Sequence, residues 1–488
     1  MSRSGAPRHD LVIAGSRVAP DDGHYPLVNP ATEEVLAYAP EASATQVRQS
    51  VGAAREALGA WSSTSPGERS RILKRTADLL VERTDELVEL GCAETGATEP
   101  VFRGMHVAAT AARFRRYARA ATQPLDGVLD PISMPDTILG PGGYVSAVTV
   151  RQPVGVVGAI TSYNNPLANT AGKLAPALAM GNTVVVKPAP QDPLCVLMLA
   201  DLLAEAGLPA GVCSVVTGSG PEVGAALVDA DVDMVSFTGS SEVGARIAGN
   251  AGPQMKRQLM ELGGKGAAIV TDDADLASAV RGIETVWTFY SGQICTAPTR
   301  VVADRAVAGE LVERLAKRAA ELGVGDPRDS ANDVGPVISA AHRERVERFV
   351  RLGREEGASL VAGGARPQLE RGFYVAPTLF VDVTNDMAIA REEVFGPVVV
   401  VIAVDGDEEA IGVANDSDYG LIDYVWSADV RRAQRIGRRL RAGGVQINSA
   451  VRHMEAPFGG FKRSGIGRDC GDFAMTAYSE LQSLTWVS

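Results

Sequence analysis

Histidine and cysteine are both scarce in this chain, with five of each among 488 residues. The cysteines, at positions 92, 195, 213, 295 and 470, are scattered and odd in number. In a chain of this length the pattern predicts free thiols in a reducing compartment and argues against a disulfide framework. Cys295 has no histidine and no second cysteine at metal-ligand spacing beside it, and no metal site is predicted.

Excess positive charge and long apolar segments are also missing. The 47 basic residues are outnumbered by 59 acidic ones, giving a net charge of -12, which argues against binding to nucleic acid or to an anionic membrane. No apolar run approaches the ~20 residues that span a bilayer. The opening stretch, MSRSGAPRHD, lacks the apolar core of a secretory signal. The sequence therefore predicts a cytoplasmic protein with no nucleic-acid or membrane partner.

The chain is long enough for two or three domains, and its patterning changes along its length. Residues 44 to 120 carry apolar side chains at helical spacing, and Ser65-Pro66 resembles a helix start. The stretch from 130 to 153 is rich in Pro, Gly and β-branched residues, which predicts an extended excursion or hairpin. From Val154, apolar strands alternate with helices, as in a parallel sheet covered on both faces. A second α/β region begins near Glu261.

Two glycine-rich turns favour a nucleotide cofactor. TGSGPEVG contains Gly220 and Gly224, but its glycine spacing is one residue longer than the dinucleotide fingerprint, so it equally predicts a simple tight turn. FTGSSEVG places Thr238 to Ser240 at a helix N-terminus, where backbone N–H groups hold a pyrophosphate well. Lys187, after four apolar residues, adds a cation suited to a ribose or phosphate.

Three segments together resemble one family. MELGGKG contains Glu261, FYSGQICTAPTR contains Cys295, and EEVFGPV contains Glu393 and Phe395. With GVVGAITSYNNPL, VVVKPA and APFGGFKRSGIGR, in this order, they resemble the aldehyde dehydrogenase superfamily of the hydrolytic, NAD(P)-dependent type, over about residues 20 to 485.

The resemblance implies an α/β fold in three parts. Residues 1–125 and 148–260 would form a parallel, Rossmann-like NAD(P)-binding domain, and residues 261–447 an α/β catalytic domain. Residues 126–147 and 470–488 would form a small β oligomerisation element of a homodimer or homotetramer. In the family, a pair matching Arg468 and Glu480 ties the C-terminal strand to the body.

An isolated cysteine is either a buried thiol or a nucleophile, and the resemblance implies that Cys295 is the nucleophile. Its thioester would retain the acyl group after hydride loss. Glu261 resembles the general base that activates water, and its presence predicts hydrolysis instead of transfer to coenzyme A. Asn164 resembles the side-chain donor to the oxyanion, together with the Cys295 N–H, and Asn165 is the adjacent rival. A coenzyme-A-acylating enzyme and a non-catalytic relative remain the alternatives.

The resemblance also implies a cofactor-contacting set: Thr161, Ser162, Tyr163, Lys187, Gly220, Gly224, Phe237, Thr238, Gly239, Ser240, Val243, Leu262, Glu393 and Phe395. Many NAD-preferring relatives carry a glutamate where this chain has Pro190. NAD is the expected cofactor, and NADP stays open.

The expected substrate pocket is lined by Asn165, Ala168, Asn169, Gly172, Phe289, Ile294, Thr296 and Phe458. Several of these side chains are small or polar, which predicts a wide, wet pocket for a bulky, aromatic or polar aldehyde or semialdehyde. Arg452 and His453 lie in the loop before APFGGF, where they either contact a substrate carboxylate or face solvent.

Overall fold

The computed structural model describes residues 5–123, 125–138 and 140–487. Its strands are β1 (Leu11–Ile13), β2 (Ser16–Val18), β3 (His24–Val28), β4 (Val35–Pro40), β5 (Gly127–Met134), β6 (Gly143–Pro153), β7 (Val156–Ile160), β8 (Thr183–Lys187), β9 (Cys213–Val215), β10 (Met234–Thr238), β11 (Arg257–Glu261), β12 (Ala267–Val270), β13 (Arg300–Asp304), β14 (Ser359–Ala362), β15 (Thr378–Val381), β16 (Val398–Val404), β17 (Ile422–Trp426), β18 (Gly444–Ile447), β19 (Gly465–Ile466) and β20 (Ser479–Val487).

The α-helices are α1 (Ala44–Ser62), α2 (Pro66–Glu82), α3 (Thr84–Thr95), α4 (Glu99–Val101), α5 (Ala109–Ala120), α6 (Pro166–Met180), α7 (Leu194–Glu205), α8 (Glu222–Asp229), α9 (Ser241–Ala251), α10 (Leu276–Thr288), α11 (Arg305–Glu321), α12 (Ala340–Glu355), α13 (Ala388–Arg391), α14 (Gly406–Asn415), α15 (Val430–Gly437) and α16 (Gly471–Ala477). A π-helix spans Phe102–Ala108, and short 3-10 turns span Gly252–Gln254, Phe289–Gly292 and Lys462–Ser464. Ser65 caps α2 through its side chain, as the sequence predicts.

The first sheet has five parallel strands at its centre, in the order β11-β10-β7-β8-β9. Every residue of β7 and β8 is buried. Such continuous apolar strands form where helices cover both faces of a sheet, and α1, α6 and α7 pack here. The predicted α/β fold with a parallel sheet is confirmed. Short antiparallel strands extend both edges, with β19 pairing with β11 and β1 with β9.

The second sheet runs β14-β15-β16-β13-β12-β17-β18, with β14 antiparallel to β15 and its other pairs parallel. Its β16 has the sequence VVVVIAV and is buried at nearly every position. Apolar clusters fill both of its faces. The connection from β11 to β12 carries the ELGGK motif from one sheet to the other, so this short stretch lies at their junction.

The third sheet joins the β5–β6 hairpin to the C-terminal strand β20. The extended excursion predicted around residue 130 is this hairpin. Glu480 of β20 is bound to Arg257, whose Nη2 donates to its carboxylate at 2.6 Å. Arg468, the expected partner, donates instead to the carbonyls of Gly460 and Gly467. In the structure, Arg257 at the start of β11 therefore takes the place of Arg468 as the partner of Glu480. Within the described residues, no helix is long and apolar enough to cross a membrane.

Candidate active site

The residues predicted to contact a cofactor lie at the carboxyl ends of the central parallel strands. Residues 161–163 follow β7, Lys187 ends β8, Thr238 ends β10 with residues 239–240 after it, and Leu262 follows β11. Carboxyl ends of parallel strands meet at one edge of a sheet, where α/β folds bind their ligands. These side chains therefore lie along one edge of the first sheet. The loop that carries Cys295 reaches the same region from the second sheet.

Backbone strain marks the approach to Cys295. Tyr290 and Ser291 both have positive φ angles, of 45° and 56°, and Gly292 follows at 72°. Non-glycine residues rarely adopt this conformation, and it persists only where the surroundings hold it. The Tyr290 hydroxyl donates to the Thr95 carbonyl at 2.7 Å, and the Ser291 hydroxyl to the Gly335 carbonyl at 2.7 Å. These buried hydrogen bonds hold the backbone of this segment in its positive-φ conformation.

Two glycines permit the close packing of the Cys295 loop. A Cβ atom at Gly264 would lie 2.3 Å from the carbonyl oxygen of Cys295. A Cβ atom at Gly292 would lie 2.3 Å from the carbonyl of Gly396. Glycine is therefore needed for steric reasons at Gly264, in ELGGK, and at Gly292, before Cys295. At both positions the neighbouring backbone leaves no room for a side chain.

Asn164 is oriented by a chain of hydrogen bonds. Its Nδ2 donates to the carbonyl of Gln293, two residues before Cys295, at 2.9 Å. Its Oδ1 accepts from the Ser162 hydroxyl at 2.9 Å, and that hydroxyl accepts from Asn169 Nδ2 at 2.7 Å. The second amide hydrogen of Asn164 has no acceptor in the part of the chain the structure describes, so it is available to an oxyanion at Cys295.

Asn165, the rival donor, makes no comparable bond. Its Oδ1 is buried without a hydrogen-bond partner among the described residues, and its side chain does not cap α6. Gln293 holds the loop from the other side, because its Oε1 accepts from the Ile338 N–H at 2.9 Å. The contacts favour Asn164 as the donor.

Glu261 is a buried carboxyl group without a hydrogen-bond partner in the described chain. Gly459 lies against it, with a Cβ position 3.0 Å from Oε1. Burial raises the pKa of Glu261 well above its usual value, and Asp469 raises it further, while Lys173 is the largest of the cations that lower it. A carboxyl group with a raised pKa is suited to accept a proton from water near neutral pH.

The thiol of Cys295 is not activated by its protein surroundings. Burial, then the carboxyl groups of Glu393 and Glu261, raise its pKa to about 12, whereas Arg452 lowers it. The thiol is therefore protonated at neutral pH in the protein alone. Positive charge from a bound ligand would lower this pKa and favour the thiolate.

Glu393 faces the same junction. One carboxylate oxygen accepts from the Gly264 N–H at 2.8 Å, and the other would lie 2.4 Å from a Cβ atom at Gly263. Burial raises its pKa to about 7. Phe395 has a positive φ of 61°, and its carbonyl lies 2.7 Å from Nε2 of His342.

Aromatic rings bring the two sheets together beside Glu393. Tyr163, Phe395 and His342 meet edge to face, with ring centroids about 6 Å apart. Tyr163 comes from the first sheet, and the other two come from the second. Tyr163 and Phe395, two residues of the expected cofactor-contacting set, are therefore in contact.

The two glycine-rich turns differ in their accessibility. In the first, the Ser219 N–H donates to both carboxylate oxygens of Glu41 at 3.0 Å, and the Glu222 carboxylate folds over Gly220. Gly224, within α8, has open space beside it. In the second turn, Ser240 caps the eleven-residue α9 by accepting from the Val243 N–H. The α9 N-terminus is the better pyrophosphate site, because internal carboxylates occupy the first turn.

Phe237 and the end of β10 support that second turn. The Phe237 ring lies under Gly239, 2.4 Å from the position a Cβ atom would take. The Gly239 N–H donates to the carbonyl of Glu261 at 3.1 Å. This hydrogen bond joins the turn to the end of β11, the strand that carries Glu261.

The predicted wide pocket is narrower than its glycine and alanine suggest. The Arg113 guanidinium lies 2.5 Å from the Cβ position of Gly172 and donates to the Ala168 carbonyl. The space left by these small residues is therefore filled by an arginine from α5. The sequence analysis did not place Arg113 in the pocket, because no spacing in the sequence shows that α5 packs against α6.

The remaining predicted pocket residues are Thr296, Phe458, Phe289 and Ile294. The Thr296 carbonyl accepts from the Tyr424 hydroxyl at 2.8 Å. Phe458 packs against the same apolar cluster as Cys295. Phe289 ends α10 and packs against the core of the first sheet, while Ile294 is half-buried directly before the cysteine.

Lys173 and Asp469 are functional candidates that the sequence reasoning missed. Lys173 is buried in the apolar helix α6, and its Nζ donates to the Ser236 hydroxyl at 3.0 Å. A lone lysine within NTAGKLAPALAM was the available signal. Asp469 is buried and pairs through its backbone with Phe458. No local sequence pattern connects Asp469 with Glu261.

Comparison with known proteins gives the family. The family model for the aldehyde dehydrogenase family matches residues 18–484. The chain belongs to the aldehyde dehydrogenase family. It is accordingly an oxidoreductase acting on aldehydes, as the sequence predicts.

Individual relatives agree over nearly the whole chain. A betaine aldehyde dehydrogenase of Brucella canis is 40% identical over 98% of this chain and 97% of its own length. The NAD+ complex of a Bacillus cereus aldehyde dehydrogenase is 38% identical, covers 98% and 96% of the two chains, and has a TM-score of 0.92. A Staphylococcus aureus betaine aldehyde dehydrogenase in complex with NAD+ is 33% identical, covers 98% and 94%, and has a TM-score of 0.93.

Proposed function

We propose that this chain oxidises an aldehyde to the carboxylic acid with NAD+, through a covalent adduct on Cys295 that is hydrolysed by water activated by Glu261. The convergence of three groups carries the proposal. Asn164 binds the Cys295 loop through Gln293, Gly264 packs directly on the Cys295 carbonyl, and Glu261 lies three residues before that glycine.

The side chains at the sheet edge fit a dinucleotide. The N-terminus of α9 offers backbone N–H groups beside the Ser240 hydroxyl, and Lys187 offers a buried ammonium whose pKa burial lowers to about 8. Glu393 and Phe395 would hold the nicotinamide end. NAD+ in the similar structures from Bacillus cereus and Staphylococcus aureus supports NAD+ as the cofactor. When bound, the nicotinamide supplies the hydride acceptor and a positive charge.

The chemistry assigned to the chain begins at the thiol. Cys295 loses its thiol proton to solvent and attacks the aldehyde carbon as the thiolate; a carbon–sulfur bond forms as the carbonyl π bond breaks, and the carbonyl oxygen becomes an alkoxide. The free amide hydrogen of Asn164 and the Cys295 N–H stabilise that alkoxide. Loss of hydride from the adduct leaves a thioester. Glu261 then takes a proton from water, the hydroxide attacks the thioester, and the acid leaves as Cys295 recovers its thiol.

Lys173 and Asp469 would set the working pH of Glu261. The Lys173 ammonium lowers the pKa of Glu261 and Asp469 raises it. Lys173 is itself desolvated, and burial lowers its pKa to about 8. Its hydrogen bond to Ser236 continues to the Tyr478 hydroxyl at 2.8 Å. This buried polar chain orients the ammonium from behind the base.

A second copy of the chain is the proposed partner of the third sheet. Val128, Ile132, Leu481 and Trp486 are exposed there, and apolar sheet faces of this kind usually mark protein contacts. Light scattering of Leu481→Glu beside the unmodified protein tests this assembly, and a loss of molar mass in the variant would support it.

The polar atoms lining the site support a polar aldehyde as substrate.

The first experiment follows NADH and NADPH formation over aliphatic, aromatic, cationic and carboxylate-bearing aldehydes without coenzyme A. The unmodified protein is compared with Cys295→Ala and with Cys213→Ala, a buried control cysteine outside the site. Turnover lost only in Cys295→Ala supports the proposal. Turnover that requires coenzyme A would assign an acylating enzyme, and NAD+ binding without turnover of any aldehyde would assign a non-catalytic relative.

A further inference from the structure

Arg452 has an unpaired cationic group beside the site. Its guanidinium carbon lies 4.3 Å from the ring centroid of Phe458. Its Nη1 is buried and has no hydrogen-bond partner among the described residues. Its Nη2 contacts only the sulfur of Met454, at 3.9 Å. Guanidinium N–H groups are strong, charged donors, and leaving one buried without an acceptor is costly.

The position of Arg452 relative to the reacting groups follows from Phe458. Phe458 and Cys295 both pack against the same apolar cluster of the second sheet, and Gly459, which follows Phe458, lies against the Glu261 carboxylate. The positive charge of Arg452 lowers the pKa of both Cys295 and Glu261. The unpaired guanidinium is therefore close enough to influence both Cys295 and Glu261 electrostatically.

We propose that Arg452 receives a carboxylate carried by the substrate, so that the preferred substrates are aldehydes with a carboxylate at the far end of a short chain. This assignment rests on the proposed oxidation at Cys295. The guanidinium is held over the Phe458 ring, and that contact leaves its edge N–H groups free to bind an anion. A substrate carboxylate completes the hydrogen bonding that the protein leaves open at Nη1.

The same geometry disfavours the substrate named for the similar betaine aldehyde dehydrogenases. A quaternary ammonium is bound best on open aromatic faces, but the guanidinium already covers a face of Phe458. Two like charges would also meet there. Of the nearby carboxyl groups, Asp469 already accepts from the Cys470 N–H at 2.6 Å, and burial raises the pKa of Glu261, which disfavours its charged form.

The neighbouring cation Arg113 adds to the positive potential. It lies beside Gly172 and Asp469 and is engaged with the Ala168 carbonyl. Arg113 and Arg452 both lower the pKa of Cys470. Arg113 is fixed by its carbonyl contact, and Arg452 retains the open donor.

The test compares kcat and KM for a series of ω-carboxy aldehydes, from three to six carbons, with their methyl esters and with betaine aldehyde. Variants are Arg452→Gln, Arg452→Lys and, as matched control from the same loop, His453→Gln, whose side chain is exposed. One charge-assisted hydrogen bond is worth about ten- to hundredfold in kcat/KM. We expect that loss in Arg452→Gln for the carboxylates alone, mainly through KM, with partial recovery in Arg452→Lys.

The outcomes separate this inference from the proposed function. If the esters react as well as the carboxylates in the unmodified protein, or if Arg452→Gln slows both equally, Arg452 has no role in selecting an anion although the oxidation stands. High activity with betaine aldehyde would also overturn the inference. No oxidation of any aldehyde would remove the proposed function itself. Raising the salt concentration should increase KM for the carboxylates and leave KM for the esters unchanged.

Discussion

Replacing Gly264 by alanine tests whether the Cys295 loop must lie directly on the chain that follows Glu261. The added Cβ would be 2.3 Å from the Cys295 carbonyl oxygen, whereas ordinary contacts begin at 3.4 Å. The loop must therefore retreat by about 1 Å, because the obstacle is backbone and cannot rotate away. A displacement of that size at reacting groups costs about a hundredfold in rate, and overpacking costs about 1–3 kcal/mol of stability.

The assay is kcat for NADH formation at saturating aldehyde, with thermal unfolding of the same samples. Gly52→Ala is the matched control, since Gly52 lies inside α1 with no heavy atom within 4 Å of its Cβ position. It should keep full activity and gain about 0.5–1 kcal/mol, as helical glycines do when replaced by alanine. Normal kcat in a folded Gly264→Ala protein would refute the reasoning that this contact sets the position of the nucleophile.

Three further predictions concern the same centre. Lys173→Met should move the rise of activity with pH to higher pH, and Asp469→Asn should move it to lower pH, because the first raises and the second lowers the pKa of Glu261; unchanged pH profiles would argue against Glu261 as the base. Asn164→Ala should lower kcat by about 10²–10³ through loss of the oxyanion donor, with NAD+ affinity by calorimetry unchanged as the control. Without cofactor, iodoacetamide should alkylate Cys295 about a thousandfold more slowly than a free cysteine, because its pKa is raised to about 12; peptide mass spectrometry measures this, and rapid alkylation at pH 7 would contradict it.

The strand and helix pattern could be predicted because it is repeated in the local sequence. The buried strands β7 and β8 are continuous apolar runs, and each is followed by a helix with its own periodicity. The nucleophile and base followed from motifs in which each glycine has a steric reason, as at Gly264. These are short-range features, and they are visible in a single sequence.

The groups that tune the site could not be predicted in the same way. Arg113 fills the space beside Gly172, although the two residues lie on different helices. Glu480 pairs with Arg257 because of how β20 lies beside the first sheet. Both contacts depend on packing between segments that are distant in the sequence. No local sequence pattern at Arg113 or Glu480 identifies the residue that it contacts. The expectation of a wide pocket counted the side chains of one helix only and did not include Arg113, which lies beside Gly172.

The electrostatics of the site bear on how the proposed nucleophile Cys295 would react without a neighbouring histidine. Burial and the carboxyl groups of Glu393 and Glu261 keep the Cys295 thiol protonated, and a protonated thiol reacts slowly with electrophiles and oxidants. A cysteine–histidine pair would make the thiolate permanent. Here the opposing charge would arrive with the positively charged cofactor, so the nucleophile would form mainly when a hydride acceptor is present. The carboxyl groups that raise the thiol pKa in the resting protein thereby couple its reactivity to cofactor binding.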